Sequence, residues 1–304
     1  EAELEATYEI DPTVGDASSI PYNFPIEEEP TNTDEARSLY FESEPLSDPL
    51  HLTGQGELAI TIETDIADPT VSARLVDIGP DGRGTMVTHG TQRVRFREGV
   101  AEPSPVPVGE PISLTIPLEA RSYVFDAGQR LRLAISGSFF PEVQPTGEAG
   151  ALTIRSTGEY PGTLRFPTLS EDGPAAESAI SFGSPETSVS AAPERVSDQR
   201  LDWTVTRDRT NGAVTVTRSG SNRLDLPHAT MTESGTYRAT VNDSDPGSFL
   251  STNDLEFALE YEASTVDITA SNRFSQDFVT LSTEVQVDGK PIFDETWTDS
   301  PGDH

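Results

Sequence analysis

From about residue 46 the chain alternates between apolar and polar positions. Leu58, Ile60 and Ile62 are separated by Ala59 and Thr61, and Val71, Ala73, Leu75 and Asp77 share one face while Arg74, Val76 and Ile78 share the other. Period two over short runs predicts half-buried β-strands. Further runs follow at Val94–Phe96, Ile112–Leu118, Tyr123–Phe125, Leu131–Ile135, Leu152–Ile154 and Leu164–Phe166, with turn signals between them such as Pro80-Asp81-Gly82 and Ala127-Gly128. Strands spaced every 8–15 residues predict a β-sandwich of jelly-roll type over residues 46–169. Alternation resumes at Leu201 and continues through Trp203–Thr206, Ala213–Thr217, Tyr237–Val241, Leu255–Tyr261, Val266–Ala270, Phe278–Val287 and Ile292–Trp297. Asn211-Gly212 and Asp288-Gly289 are hairpin signals, because both positions of such turns tolerate positive φ. Residues 200–299 therefore read as a second, mainly antiparallel β domain, fitting either a separate barrel-like unit or an extension of the first sandwich. The remainder lacks period: an extended lead-in over 1–45, a Ser/Ala/Pro/Glu-rich linker over 170–199 and a tail at 300–304. No stretch has a helical period of useful length.

Composition narrows the function. Acidic residues number 52 against 20 basic ones, a formal charge of −32, and cysteine is absent. Disulfides, thiolate nucleophiles and cysteine–metal sites are thereby excluded. Because the acids are interleaved with strand-like runs, the pattern is that of a folded chain adapted to molar salt, where a Debye length of about 3 Å screens self-repulsion. It points to a halophile and to a cytoplasmic setting ahead of a secreted one. No basic stripe exists to meet phosphates, so nucleic acid is not an expected partner. No apolar run reaches the roughly 18 residues of a membrane span. The sequence opens on Glu1 with no signal-peptide pattern, which reads as a mature product or a part of something longer.

Catalytic chemistry is hard to place. No glycine is followed two residues later by serine, so the Gly-x-Ser-x-Gly elbow of serine hydrolases is missing. His51, His89, His228 and His304 have no metal-ligand spacing. No catalytic residue and no cofactor is assigned. In Asn242-Asp243-Ser244-Asp245-Pro246-Gly247, Asp243 and Asp245 offer oxygen ligands at alternate positions, a pattern that fits Ca²⁺; Pro246 fits a plain β-turn equally. Phe139, Phe140, Trp203 and Trp297 fit either core positions or a sugar- or acyl-binding wall.

Three runs carry a resemblance. They are Ala73-Arg74-Leu75-Val76-Asp77-Ile78-Gly79-Pro80-Asp81-Gly82-Arg83, then Thr88-His89-Gly90 with arginines at 93, 95 and 97, then Val124-Phe125-Asp126-Ala127-Gly128-Gln129-Arg130-Leu131-Arg132 running on to Phe139-Phe140-Pro141. In this order and spacing the chain resembles the C-terminal jelly-roll of the cocaine esterase / X-Pro dipeptidyl-peptidase hydrolases, departing from it where Gln129 replaces the family's usual histidine. Tyr8–Pro12 and Glu42–Leu46 are similar to the stretch leading into that domain. The tail too has counterparts in longer members, so the likeness covers nearly the whole chain, most securely 40–168.

The resemblance implies an all-β, galactose-binding-like jelly-roll whose partner is an α/β-hydrolase domain, in the same or a neighbouring chain. That domain would hold the whole Ser–Asp–His triad and cleave esters or proline-containing peptides. The expected role is non-catalytic: packing on the hydrolase domain, shaping its cleft and supporting assembly, including homo-oligomers. The alternative is a free-standing carbohydrate- or ligand-binding module, which predicts an exposed aromatic platform or a calcium site at 243–247. In so acidic a chain, Arg93, Arg95 and Arg97 on one strand face, with Arg130 and Arg132 as a second pair, read as partner-facing rows or as a solvated face answering nearby acids.

Overall fold

The computed structural model describes residues 4–17, 31–156, 162–169, 194–195 and 200–300. The chain divides into two compact units, Glu1–Gly173 with Val241–Gly247, and Pro174–Thr240 with Ser248–His304. Of the expected linker only 194–195 is described, and the tail beyond Ser300 lies outside the described residues.

The first unit contains β1 (Leu4–Glu9), a single helical turn α1 (Asn32–Glu35), β2 (Leu39–Glu42), β3 (Leu50–Gly54), β4 (Glu57–Thr64), β5 (Thr70–Ile78), β6 (Gly84–Arg93), β7 (Ile112–Pro117), β8 (Arg121–Phe125), β9 (Arg130–Ser136), β10 (Ala151–Ser156), β11 (Thr163–Arg165) and β12 (Thr168–Leu169). Among the described residues, β1, β10, β4 and β11 form one sheet, with β7 also paired to β4. A second sheet has the order β2–β9–β5–β6, and a small third has β12–β3–β8. The first two pack face to face. Leu58, Ile60 and Ile62 of β4, with Ile112, Leu114 and Ile116 of β7, meet Val71 and Ala73 of β5 and Ile135 of β9 in one core. Each of the Val, Leu and Ile side chains contributes about 1.5–3 kcal/mol when removed from water. This is the sandwich that the alternation predicts, and the polar members of β7 duly face solvent.

β5 is different, because all nine of its residues are buried. Its inward positions join the core. Its outward positions are covered by the lead-in, where α1 and its N-cap pack so closely over Gly84 that a Cβ there would lie 2.9 Å from Thr31 and 3.2 Å from Glu35. Residues of the lead-in also complete both large sheets: β1 pairs with β10 and β2 with β9. Gly15 makes the approach possible. It holds φ +115°, and a Cβ would sit 2.6 Å from the Phe140 backbone, a conformation and a spacing that only glycine satisfies.

Two expectations fail locally. Val94–Phe96 is a 3-10 turn rather than a strand. Arg93 lies opposite Thr70, the first residue of β5, so the ladder runs out of partner there, and the Val94 N–H turns to the Pro69 carbonyl at 2.9 Å. Asn211-Gly212 is not a two-residue hairpin: the strands stop at Asp208 and restart at Ala213, and the Gly212 N–H bonds to the Asp208 carbonyl at 2.8 Å.

Among the described residues eight more strands form one sheet, which belongs to the second unit except for Val241–Gly247: β13 (Glu194–Arg195), β14 (Arg200–Asp208), β15 (Ala213–Leu226), β16 (Ala229–Asn242), β17 (Asp245–Glu260), β18 (Thr265–Ser275), β19 (Val279–Val287) and β20 (Lys290–Asp299). Its order is β13–β15–β16–β17–β18–β19–β20, with β14 also on β15. Asp288-Gly289 does close a two-residue hairpin between Val287 and Lys290, with φ of 51° and 73°, as the primed turns of tight hairpins require.

Candidate functional site

The densest chemistry of the first unit lies where the lead-in crosses β5 and β9. Arg74 is 1% exposed and Asp34 fully buried. The Arg74 guanidinium lies 3.6 Å from Asp34 Oδ2 and donates to Ser38 Oγ at 2.6 Å, whose hydroxyl donates in turn to the Asp34 carbonyl at 2.7 Å. Arg37 gathers three carboxylates: Asp16 at 2.6 Å, Asp34 at 2.7 Å and Asp11 at 3.3 Å. Asp11 also accepts the backbone N–H of Thr13 at 2.8 Å, and Asp34 accepts that of Ala17 at 3.1 Å. On the neighbouring strand, Arg132 engages both Glu35 and Glu42, while Arg130 holds Glu42 at 2.6 Å.

Burial pulls on these groups and charge answers it. Desolvation would lower the Arg37 guanidinium, but Asp16, Asp34 and Asp11 outweigh it and hold it above its ordinary value. For Arg74 burial wins over Asp34 and Glu35, and its proton affinity falls. The Tyr8 hydroxyl, buried nearby, is pushed up by desolvation against the pull of Arg74. Each carboxylate comes from the lead-in and Arg74 and Arg132 come from the sandwich, so the network clamps segments 11–17 and 31–42 onto the sheet. Sequence reasoning missed Asp34, Glu35 and Arg37, and placed Arg74 only as a face member. Its signal was a charge in the middle of an apolar strand.

The expected partner-facing residues all carry internal counter-ions or acceptors. Arg93 and Arg95 share Asp68, at 2.5 and 3.3 Å, and Arg95 also stacks over the Phe96 ring at 4.6 Å. Arg97 donates to the backbone carbonyls of Val94, Ser104 and Pro105. Because the strand ends at Arg93, the three do not form the straight row expected on one strand face. Arg130 and Arg132 do alternate along β9, with Leu131 and Leu133 pointing the opposite way into a cleft of about 400 Å³. Apolar side chains from both sheets line it, among them Phe41, Leu58, Leu75 and Ile154, and Glu42, Ser43 and Arg155 stand at its rim. Such a cleft can receive apolar groups.

The remaining candidates are quiet. Asp243 and Ser244 form the turn between β16 and β17, and Asn242 Oδ1 is occupied by the Ser244 N–H at 3.0 Å and its hydroxyl at 2.7 Å. Among the described residues no group of three His, Asp or Glu side chains could hold a metal ion, Asp243 and Asp245 included. Among them, too, no helix is long and apolar enough to cross a membrane. His89 lies on β6, its ring 4.6 Å from that of Phe139 and its Nε2 3.9 Å from Glu119. Phe139 and Phe140 are core; Trp297 is 48% exposed.

Comparison with known proteins bears on the same region. The family model described as the X-Pro dipeptidyl-peptidase C-terminal non-catalytic domain matches residues 2–180. Over 133 residues the chain is 31% identical to the cocaine esterase of Rhodococcus sp. (strain MB1 Bresler), covering 44% of this chain and 23% of that protein. In fold it is similar to an aminopeptidase from a marine-sediment Thaumarchaeota archaeon, with a TM-score of 0.51 and 21% identity over 56% of this chain and 34% of that one. The chain thus spans less than a quarter of the curated relative's length. The family match ends before β13, so the tail likeness expected from sequence lies outside it.

Proposed function

The chain belongs to the family of X-Pro dipeptidyl-peptidase C-terminal non-catalytic domains, and from that premise we propose that it is the accessory region of a serine hydrolase, packing on an α/β-hydrolase domain to shape its substrate cleft and its assembly in a high-salt setting. The observation that carries the reading is the extent of the match, which takes in the lead-in and the sandwich together. The ion clamp supports it. Buried charges fasten segments 11–17 and 31–42 to the sandwich, so the surface those segments offer a partner is a fixed one. The outer face of β9, with Arg130 and Arg132, the Arg93–Arg97 bend and the apolar cleft beside Glu42 are the surfaces we assign to the partner. Their arginines would share carboxylates with it rather than meet them bare.

Size-exclusion chromatography with light scattering in about 2 M KCl tests this. The chain is mixed with the α/β-hydrolase domain encoded with it, and ester turnover is assayed on the pooled peak. A complex with activity raised over that of the hydrolase domain alone supports the reading, and Arg95→Glu with Arg130→Glu weakens that complex. No complex and no change in turnover refutes it.

A further inference from the structure

The outer half of the second unit's sheet sorts its side chains by face. Cross-strand partners share a face, so Phe257, Ile268, Val285 and Phe293 form one row across β17–β20. On one side of it Val266 stands next to Val287; on the other lies the row Leu255, Ala270, Thr283 and Glu295, and beyond that Leu281 next to Trp297. The opposite face carries Glu256, Thr269, Glu284 and Asp294 in the matching row. One side is therefore aliphatic and aromatic, the other acidic and hydroxylic. Yet none of the apolar row is buried, and Leu281, Phe293 and Trp297 are 43%, 41% and 48% exposed. A sheet with one apolar face requires a cover for it.

We infer that the cover is the same face of a second copy of this chain, the two sheets stacked about a two-fold axis with their β20 strands antiparallel. Three observations select this occupant. The face is too broad and too aliphatic for a saccharide, whose platforms are isolated rings edged by polar groups; a continuous patch of this kind marks a protein interface. Its size suits a dimer: four strands about 4.8 Å apart and roughly nine residues long give a footprint on the order of 500–600 Å², in the range of a partner that buries about 800 Å² of accessible surface. Its charges are complementary to themselves. The chain's single lysine, Lys290, lies on this face opposite Val287, Glu295 lies on it near mid-strand opposite Thr283, and Asp299 lies at the far end of the same strand opposite Val279. Antiparallel stacking places Lys290 of each copy over the acidic end of the other. The segregation of other acids to the outer face lets two chains of charge −32 approach here. These strands lie outside the family match, so the inference stands apart from the docking of a hydrolase domain.

Sedimentation equilibrium of the full chain in about 2 M KCl, from about 1 to 100 µM, tests it. The wild type is expected to be dimeric, and Trp297→Glu to raise the dimer dissociation constant more than tenfold. Asp267→Asn, on the acidic face, leaves it unchanged. Lys290→Glu weakens the dimer, and adding Asp299→Lys restores it, an outcome that misfolding of a single variant does not produce. A wild type that stays monomeric to 100 µM, or a dimer indifferent to both Trp297→Glu and Lys290→Glu, overturns the inference.

Discussion

His89 shows how a single side chain couples this fold to pH. Its imidazole packs on Phe139 and is mostly enclosed, and its Nδ1 is buried with no hydrogen-bond partner among the described residues. Desolvation lowers its proton affinity; Glu119 and Glu142 pull the other way, while Arg121 and Arg74 reinforce the drop. The folded state thus binds the proton less readily than the unfolded chain, whose histidine titrates near 6.5. With a depressed folded value, the contribution to stability is complete above about pH 6.5 and is lost as the pH falls through the lower folded value. Denaturation midpoints at constant molar salt are expected to fall as the pH drops below about 6.5, and His89→Gln to flatten that part of the slope. An identical slope in the variant would mean that protonated His89 is accommodated by Glu119. From sequence His89 is marked only by its lack of metal-ligand spacing; its ring position depends on Phe139, fifty residues away in the chain and unreadable from local pattern.

The clamp belongs to the scale of elements, because it joins the lead-in to β5 and β9. Asp34 is fully buried, and it answers Arg37 and Arg74 together. Removing one partner of a buried pair leaves the other charge without compensation and costs about 3–5 kcal/mol. Asp34→Ala is therefore expected to lower stability by about that amount in chemical denaturation at high salt, and to open the lead-in to limited proteolysis before the sandwich unfolds. A loss below about 1 kcal/mol would show the charges to be solvated, and the clamp would then hold nothing. What the sequence discloses of these elements follows from the range of the forces. Period two reports burial against a sheet, so β4, β5, β7 and β9 are legible at Leu58, Val71, Ile112 and Leu131. Asp288-Gly289 is legible because a two-residue turn is decided by its own φ angles. Arg93, Arg95 and Arg97 mislead because β5 begins at Thr70, and a strand without a partner bends whatever its alternation. Asp34 and Glu35 sit in a single helical turn, too short for any period, and the β-sheet places of β1 and β2 depend on partners that lie about a hundred residues or more away.

At the scale of the molecule two electrostatic effects oppose each other. Exposed pairs such as Arg93–Asp68 and Arg165–Glu57 are each worth at most about 1 kcal/mol and weaken with salt. The net charge of −32 repels itself across the whole surface, and that repulsion also weakens with salt, favouring the compact state. Bridges fix single partners within about 4 Å, whereas the acids outnumber the cations by 52 to 20, so most carboxylates cannot be answered locally and the repulsive sum dominates. The Debye length shrinks from about 8 Å at 0.15 M to about 3 Å at 1 M, which places most of the gain below roughly 1 M. The melting temperature is accordingly expected to rise steeply between about 0.1 and 1 M KCl and to flatten beyond. Asp34→Ala should shift the whole curve downward without changing its shape, because the clamp is buried and poorly screened. A flat or falling curve for the wild type would reverse the order of the two effects and remove the case for a chain adapted to molar salt; sucrose at matched osmolality separates screening from preferential exclusion, since it acts on surface area and leaves the charges as they are.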